Sequence, residues 1–164
     1  MAPTPSRPFY DGARYDYAQS VGHQLFQLLQ QMRREVEHRM AAHDLTDAQW
    51  RPIWLLALGV ASTPAELARE LDMDPGALTR LLDRLVAKDL VVRERSDADR
   101  RVVLLQLTDA GRAVASQVPH VLAGVNNDYL AGFSRADWQQ LLTLIGRLTA
   151  NGQSLQAARA EADA

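Results

Sequence analysis

The sequence predicts a mainly α-helical chain with one small β-hairpin, an α+β arrangement with a helix-turn-helix and its hairpin in the middle and long amphipathic helices at both ends. Three observations predict it. Thr63-Pro64-Ala65-Glu66 and Asp74-Pro75 are two helix-start signals in close succession; each places a side-chain acceptor at the N-cap and proline at the first helical position, so free N–H groups find partners. Leu78, Leu81, Leu82 and Leu85 then recur at spacings of three and four, the repeat of one buried helix face. Finally, two β-branched or apolar runs, 90–95 and 102–107, flank the polar hexamer Ser96-Asp97-Ala98-Asp99-Arg100-Arg101, the pattern of two strands joined by a charged tip.

Taken in chain order, residues 1–14 contain Pro3, Pro5 and Pro8 and read as an arm. From Tyr15 to about Ala42, Ala18, Val21, Leu25, Leu28, Leu29, Met32, Val36 and Met40 fall near a 3.6-residue period. Such a helix spans roughly 40 Å, more than a small head covers, so its surplus apolar face needs another partner. Thr46 with Gln49 makes a capping box for a helix running to about Leu58, with Pro52 inside it. Short helices from Pro64 and Pro75 follow, separated by Asp72-Met73, and then the hairpin. Beyond it Thr108 caps a helix bearing Ala113, Val114, Val118, Val121, Leu122 and Val125, with Pro119 as a kink and Gly132 as its end. Ser134 with Asp137 starts a last helix striped by Trp138, Leu141, Leu142, Ile145 and Leu148, which either stops at Gly152 or is prolonged through Leu155, Ala157 and Ala158. The expected organisation is therefore an arm at 1–14, dimerisation helices at 15–45 and 109–158, a winged helix-turn-helix at 46–108, and a frayed tail at 159–164.

If the four leucines face the core, the second helix of the pair turns Gly76, Ala77, Thr79, Arg80, Asp83, Arg84 and Ala87 outward. Small residues at its start permit close approach, and the Arg80 and Arg84 forks match guanine edges or phosphates. Arginines on a helix face are often merely solvated; the hairpin that follows favours DNA, because a hairpin beside a reading helix is a wing whose tip arginines suit the electronegative minor groove. Local charge agrees. From Pro75 to Arg101 seven basic residues meet five acidic ones, although the whole chain carries a net charge of −2. A basic patch in an acidic protein implies selective rather than indiscriminate binding.

The helix-turn-helix, the run from Leu82 to Arg93, the hexamer 96–101 and the following Leu107-Thr108-Asp109-Ala110-Gly111 together resemble the MarR (multiple-antibiotic-resistance regulator) family of winged-helix transcription factors over about residues 15–150. The resemblance implies a homodimeric repressor on a pseudo-palindromic operator in double-stranded DNA. It makes Arg80 the base reader, gives Thr63, Gly76, Ala77 and Thr79 phosphate or close-backbone contacts, and favours Arg101 for the minor groove, with the other tip arginine held by Asp99. It also implies release by a small aromatic acid or phenol, for which His23, Gln27, Trp50, Arg51 and Trp54 are the candidate lining, although the tryptophans serve equally well as core. Asp89 departs from the family, which commonly carries glycine there; aspartate tolerates the left-handed conformation that ends a helix.

Several classes are excluded on residue grounds. No hydrolase elbow, phosphate loop or dinucleotide fingerprint occurs, so no enzyme activity and no cofactor are expected. Zero cysteines remove disulfides, thiolate metal sites and the cysteine-based peroxide sensing used by some relatives. His23, His38, His43 and His120 lack ligand spacing, so no metal is expected. No run of 18 apolar residues and no leader is present, which predicts a cytoplasmic protein. A winged helix used for protein–protein contact is the competing reading.

Overall fold

The computed structural model describes residues 8–163. Its elements are α1 (Val21–Met40), α2 (Asp47–Ala57), α3 (Pro64–Leu71), α4 (Pro75–Ala87), β1 (Val91–Arg95), β2 (Val103–Leu107), α5 (Asp109–Tyr129) and α6 (Arg135–Ala162). The helical fold with one antiparallel hairpin is the one the sequence predicts. Two compact units divide the chain, one reaching to Val125 and the other starting at Asn126.

In the first unit, the start signals work as capping physics requires. Thr63 Oγ1 accepts from the Glu66 N–H, and the Glu66 carboxylate accepts from the N–H groups of Ser62 and Thr63 and from the Ser62 hydroxyl. The Ser62 donors, followed by those of Thr63, hold the Glu66 carboxyl below the usual carboxylate range. Asp74 accepts from the Ala77 N–H at 2.9 Å. Leu78, Leu81, Leu82 and Leu85 are all buried, as are Leu67, Leu71, Ile53 and Met40.

Helix ends share a device. At Asp44, Asp72 and Asp89 the backbone is left-handed, with φ of 56°, 50° and 55°. The N–H of the next residue reaches back five positions each time, Leu45 to Met40, Met73 to Ala68 and Leu90 to Leu85. These are Schellman closures with aspartate in the place glycine usually takes. The departure at Asp89 therefore keeps the turn, as expected.

The hairpin pairs Val91 with Leu107, Arg93 with Leu105 and Arg95 with Val103. Val91 and Leu105 are buried, and the Leu105 N–H donates to the Ser62 carbonyl at 2.8 Å, which fastens β2 to the segment entering α3. Thr108 then joins three elements: its hydroxyl donates to the Asp89 carbonyl and accepts from the Gly111 N–H, while its own N–H donates to the Leu90 carbonyl. Gly111 is buried and packs directly on that Leu90 carbonyl, so a Cβ there would overlap it. This explains the Leu-Thr-x-x-Gly spacing in physical terms.

Two expectations need correction, at the start of the first long helix and at the end of the last. The first long helix begins at Val21 rather than Tyr15, because Asp16 accepts from the Ala18 N–H, a local bond that competes with helix, while Ser20 accepts from the His23 N–H as the N-cap that starts α1, and the Tyr10 hydroxyl accepts from the Val21 N–H. Of the arm at 1–14, residues 1–7 lie outside the described residues, and Gly12–Arg14 form a 3-10 turn capped by Asp11. Gly152 does not stop α6, which continues to Ala162 through much of the stretch expected to fray. One helical glycine costs only about 1 kcal/mol relative to alanine, and good helix formers follow it.

Apolar residues remain uncovered in each unit. On α1, Leu25, Phe26, Leu28 and Leu29 are exposed, whereas Val36 and Met40 are buried; on α6, Leu141, Leu142, Leu144, Ile145 and Leu148 are exposed. Among the described residues, no helix is long and apolar enough to cross a membrane.

Gly111→Ala should lower stability by about 1–3 kcal/mol, the usual cost of overpacking a site that cannot relax. Urea unfolding of the two proteins checks this, and an unchanged midpoint would refute the close packing.

Candidate nucleic-acid interface

Burying four leucines of α4 turns its opposite face out. Gly76, Thr79, Arg80, Asp83, Arg84 and Ala87 are exposed, and Ala77 is half-buried. Among the described residues none pairs with the Arg80 guanidinium, which stands out from the middle of the helix. Arg84 folds back instead, its Nε donating to the Arg80 carbonyl at 3.2 Å. Thr79 donates its hydroxyl to the Pro75 carbonyl at 2.8 Å, and the Ala77 N–H is occupied by Asp74. Thr63 spends its N–H and its hydroxyl oxygen on the capping box, leaving the hydroxyl proton to donate. These four residues are placed where the sequence put them, but with fewer free donors than their types suggest.

At the hairpin tip, Ser96 Oγ accepts from the N–H groups of Ala98 and Asp99, and the Val102 N–H donates to the Asp99 carbonyl. This turn aims the Asp99 carboxylate at the next arginine but one. It accepts from the Arg101 backbone N–H at 3.0 Å, from Nε at 3.2 Å and from a terminal nitrogen at 3.4 Å. Those donors, the backbone one foremost, hold the Asp99 carboxyl below the usual carboxylate range. The expected split, one tip arginine held by Asp99 and Arg101 in the groove, is thus corrected: Asp99 holds Arg101 itself. Its side chain is still 92% exposed. Arg100 is exposed as well.

Sequence reasoning missed a link between helix and hairpin. Arg93 on β1 pairs with Asp83 on the outward face of α4 at 2.7 Å. It ties α4 and the hairpin to one another. Opposite charges at Asp83 and Arg93 were visible, but that they meet depends on how β1 leaves the Asp89 turn.

The proposed effector residues are not gathered into one cleft. Trp54 lines an open, mostly apolar cleft of about 520 Å3 with Ala57, Leu105, Leu107, Arg112 and Ala115. Arg51, one turn earlier on α2, borders a different cleft with Arg33, Glu37, Leu71 and Met73. The His23 ring packs on Tyr17 with centroids 4.3 Å apart, Gln27 is exposed on α1, and Trp50 is half-buried. The physical reason is that α2 passes from α1 and α3 at its start to β2 and α5 at its end, so one turn changes the neighbours. Among the described residues no group of three or more histidine or acidic side chains is placed to hold a metal.

Comparison with known proteins agrees with this geometry. A family model described as MarR family matches residues 43–102. The multiple antibiotic resistance protein MarR of Escherichia coli (strain K12) is 36% identical over 104 residues, 63% of this chain and 72% of the relative. The crystal structure of a cysteine-to-serine mutant of E. coli MarR complexed with operator DNA superposes with a TM-score of 0.70 at 28% identity, covering 82% of this chain and 99% of that one. Bordetella bronchiseptica BpsR, whose DNA binding is regulated by 6-hydroxynicotinic acid, matches in fold with a TM-score of 0.69 at 23% identity, over 82% of this chain and 96% of that one. An exposed arginine on a leucine-anchored helix, a hairpin locked to it and relatives of this length and likeness place the chain in the MarR family.

Proposed function

We propose that the protein is a sequence-specific, DNA-binding transcriptional regulator that acts as a homodimer on a pseudo-palindromic operator. The observation that carries this reading is the unpaired Arg80 on the outward face of α4 beside a hairpin that holds Arg101 out in a fixed orientation. Arg80 reads a base edge in the major groove, and Arg101, aligned by Asp99, enters the minor groove. Asp99 reduces the rotamer freedom lost on binding, so it strengthens the contact while neutralising part of its charge. Gly76 permits close backbone approach, and Thr63 and Arg100 serve the phosphates, whereas Thr79 does so only by giving up its bond to the Pro75 carbonyl. The competing protein–protein reading gains no support from the relatives.

Dimerisation is supported by the apolar residues that each unit leaves exposed. A second copy that covers the stripes on α1 and α6 removes them from water, at about 25 cal/mol per Å2 of apolar surface. Two-fold symmetry then sets the reading helices about one DNA turn, roughly 34 Å, or a multiple of it apart. For an effector, the Trp54 cleft is the better candidate than the five residues chosen from sequence. It offers an aromatic wall, aliphatic sides and Arg112, whose guanidinium is held by the Asp109 carboxylate and the Leu107 carbonyl and would have to share its donors with a small aromatic acid. Since β2 forms part of that cleft, a ligand there bears directly on the wing.

Arg80→Ala should cost about 1–3 kcal/mol on the cognate operator and little on random duplex; equal losses on both would make it a phosphate contact. Fluorescence anisotropy should also show Arg101→Ala and Asp99→Ala weakening operator binding more than Arg100→Ala does. Light scattering at micromolar concentration should give twice the chain mass, and Leu29→Asp should shift it towards monomer; a stable wild-type monomer would refute the dimer. Titration with hydroxylated aromatic acids should perturb tryptophan fluorescence and weaken operator binding in parallel, with Arg112→Ala blunting both. A broad panel without effect on either signal removes the effector proposal.

A further inference from the structure

We infer that Lys88 is a positioning residue, not part of the charge that meets DNA: it fixes the far end of α4 to the corner where α1 gives way to α2. The inference rests on the regulator reading above. By sequence Lys88 continues the series Arg80, Arg84, Lys88 at four-residue spacing and counts as one of the seven basic residues of the reading head. In the structure its ammonium turns the other way. Nζ donates to the Asp44 carbonyl at 2.5 Å and to Gln49 Oε1 at 3.2 Å.

Both acceptors are held before Lys88 arrives. Asp44 is the left-handed residue that closes the 3-10 turn Ala41–His43 after α1, so its carbonyl direction is set by the backbone. Gln49 is 5% exposed, and the same Oε1 accepts from the Thr46 N–H at 3.2 Å as part of the α2 cap. One ammonium therefore bridges the C-cap carbonyl of one helical segment and the cap of the next, a polarity that suits a cation at the former. Lys88 is also the C-cap of α4, immediately before the Asp89 turn. Tying it down fixes the tilt of the helix that carries Arg80. Fixing tilt is a matter of geometry, so removal of the tie should affect base reading and leave the phosphate attraction in place.

The two roles differ in salt dependence. A lysine on a phosphate releases about one counterion, worth a slope of about −0.9 in log affinity against log salt, and acts on every sequence alike. A positioning lysine contributes nothing to that slope. The experiment measures operator and random-duplex binding over a salt series for the full-length wild type, Lys88→Met, Gln49→Met and the double variant. The expected result is that Lys88→Met weakens operator binding by about three- to tenfold, the scale of one net hydrogen bond, with unchanged random-duplex affinity and unchanged slope. Gln49→Met should show a similar selective loss, and the double variant should lose little more. Gln49→Glu, which keeps the acceptor and adds charge opposite the ammonium, should retain operator preference even if Gln49→Met folds poorly.

A slope reduced by about 0.9 with operator and random duplex weakened alike would make Lys88 a phosphate contact and overturn the inference. So would unchanged operator binding, or additive losses in the double variant. If the wild type binds no duplex at any salt, the regulator reading fails on its own account, and the tie is then judged by thermal unfolding. Non-additive changes in Tm for Lys88→Met and Gln49→Met sustain it, and additive changes refute it.

Discussion

The reading head depends on how α4 ends. A helix exposes unpaired carbonyls at its last turn, and here a left-handed aspartate at Asp89 returns the chain so that the Leu90 N–H reaches the Leu85 carbonyl. That reversal sends β1 back beside α4 and brings the Asp89 and Leu90 carbonyls against Thr108 and Gly111 at the start of α5. Without it the hairpin would have no fixed direction relative to the helix it flanks. Three polypeptide segments meet within a few residues, and only a residue without Cβ fits at their point of closest approach.

From this junction the DNA-facing elements acquire their mutual geometry in two further steps. Arg93 reaches Asp83 because β1 leaves the turn along the outward face of α4, and β2 is bound to the Ser62 carbonyl on its other side. Helix and hairpin are thereby linked to one another and to the segment entering α3. Individually such exposed ion pairs are weak, on the order of 0–1 kcal/mol, so their effect is on orientation more than on stability. The same holds at the tip, where Asp99 restricts Arg101 without burying it. Charges that sequence counting treats as a pool are in fact assigned: Arg93 and Lys88 to the architecture, Arg80 and Arg101 to the outside.

The long helices obey a different constraint. Their apolar periodicity is real, but the chain by itself covers only part of it: Val36 and Met40 find the head, while Leu25, Leu28 and Leu29 do not. Exposed apolar surface of this continuity on a helix marks an association surface. The amphipathic pattern is therefore only partly accounted for by burial among the described residues, which is why the dimer is proposed.

Sequence alone determined the helices, the capped starts of α2, α3, α4 and α6, the four buried leucines of α4, the hairpin and the left-handed turn at Asp89, because each follows from short-range rules of capping, periodicity and backbone sterics acting within a few residues. It misplaced the start of α1 and the end of α6, where local turn bonds or a lone glycine compete closely with helix. Only the tertiary structure decided which arginine Asp99 holds, that the Lys88 ammonium meets Gln49 and Asp44, that Arg93 meets Asp83, and that Trp54 and Arg51 border different clefts. Each of these depends on the direction of a side chain relative to an element distant in sequence. Charge and spacing list the groups able to interact; the packing of α2, α4 and the hairpin around shared leucines selects the pairs that do.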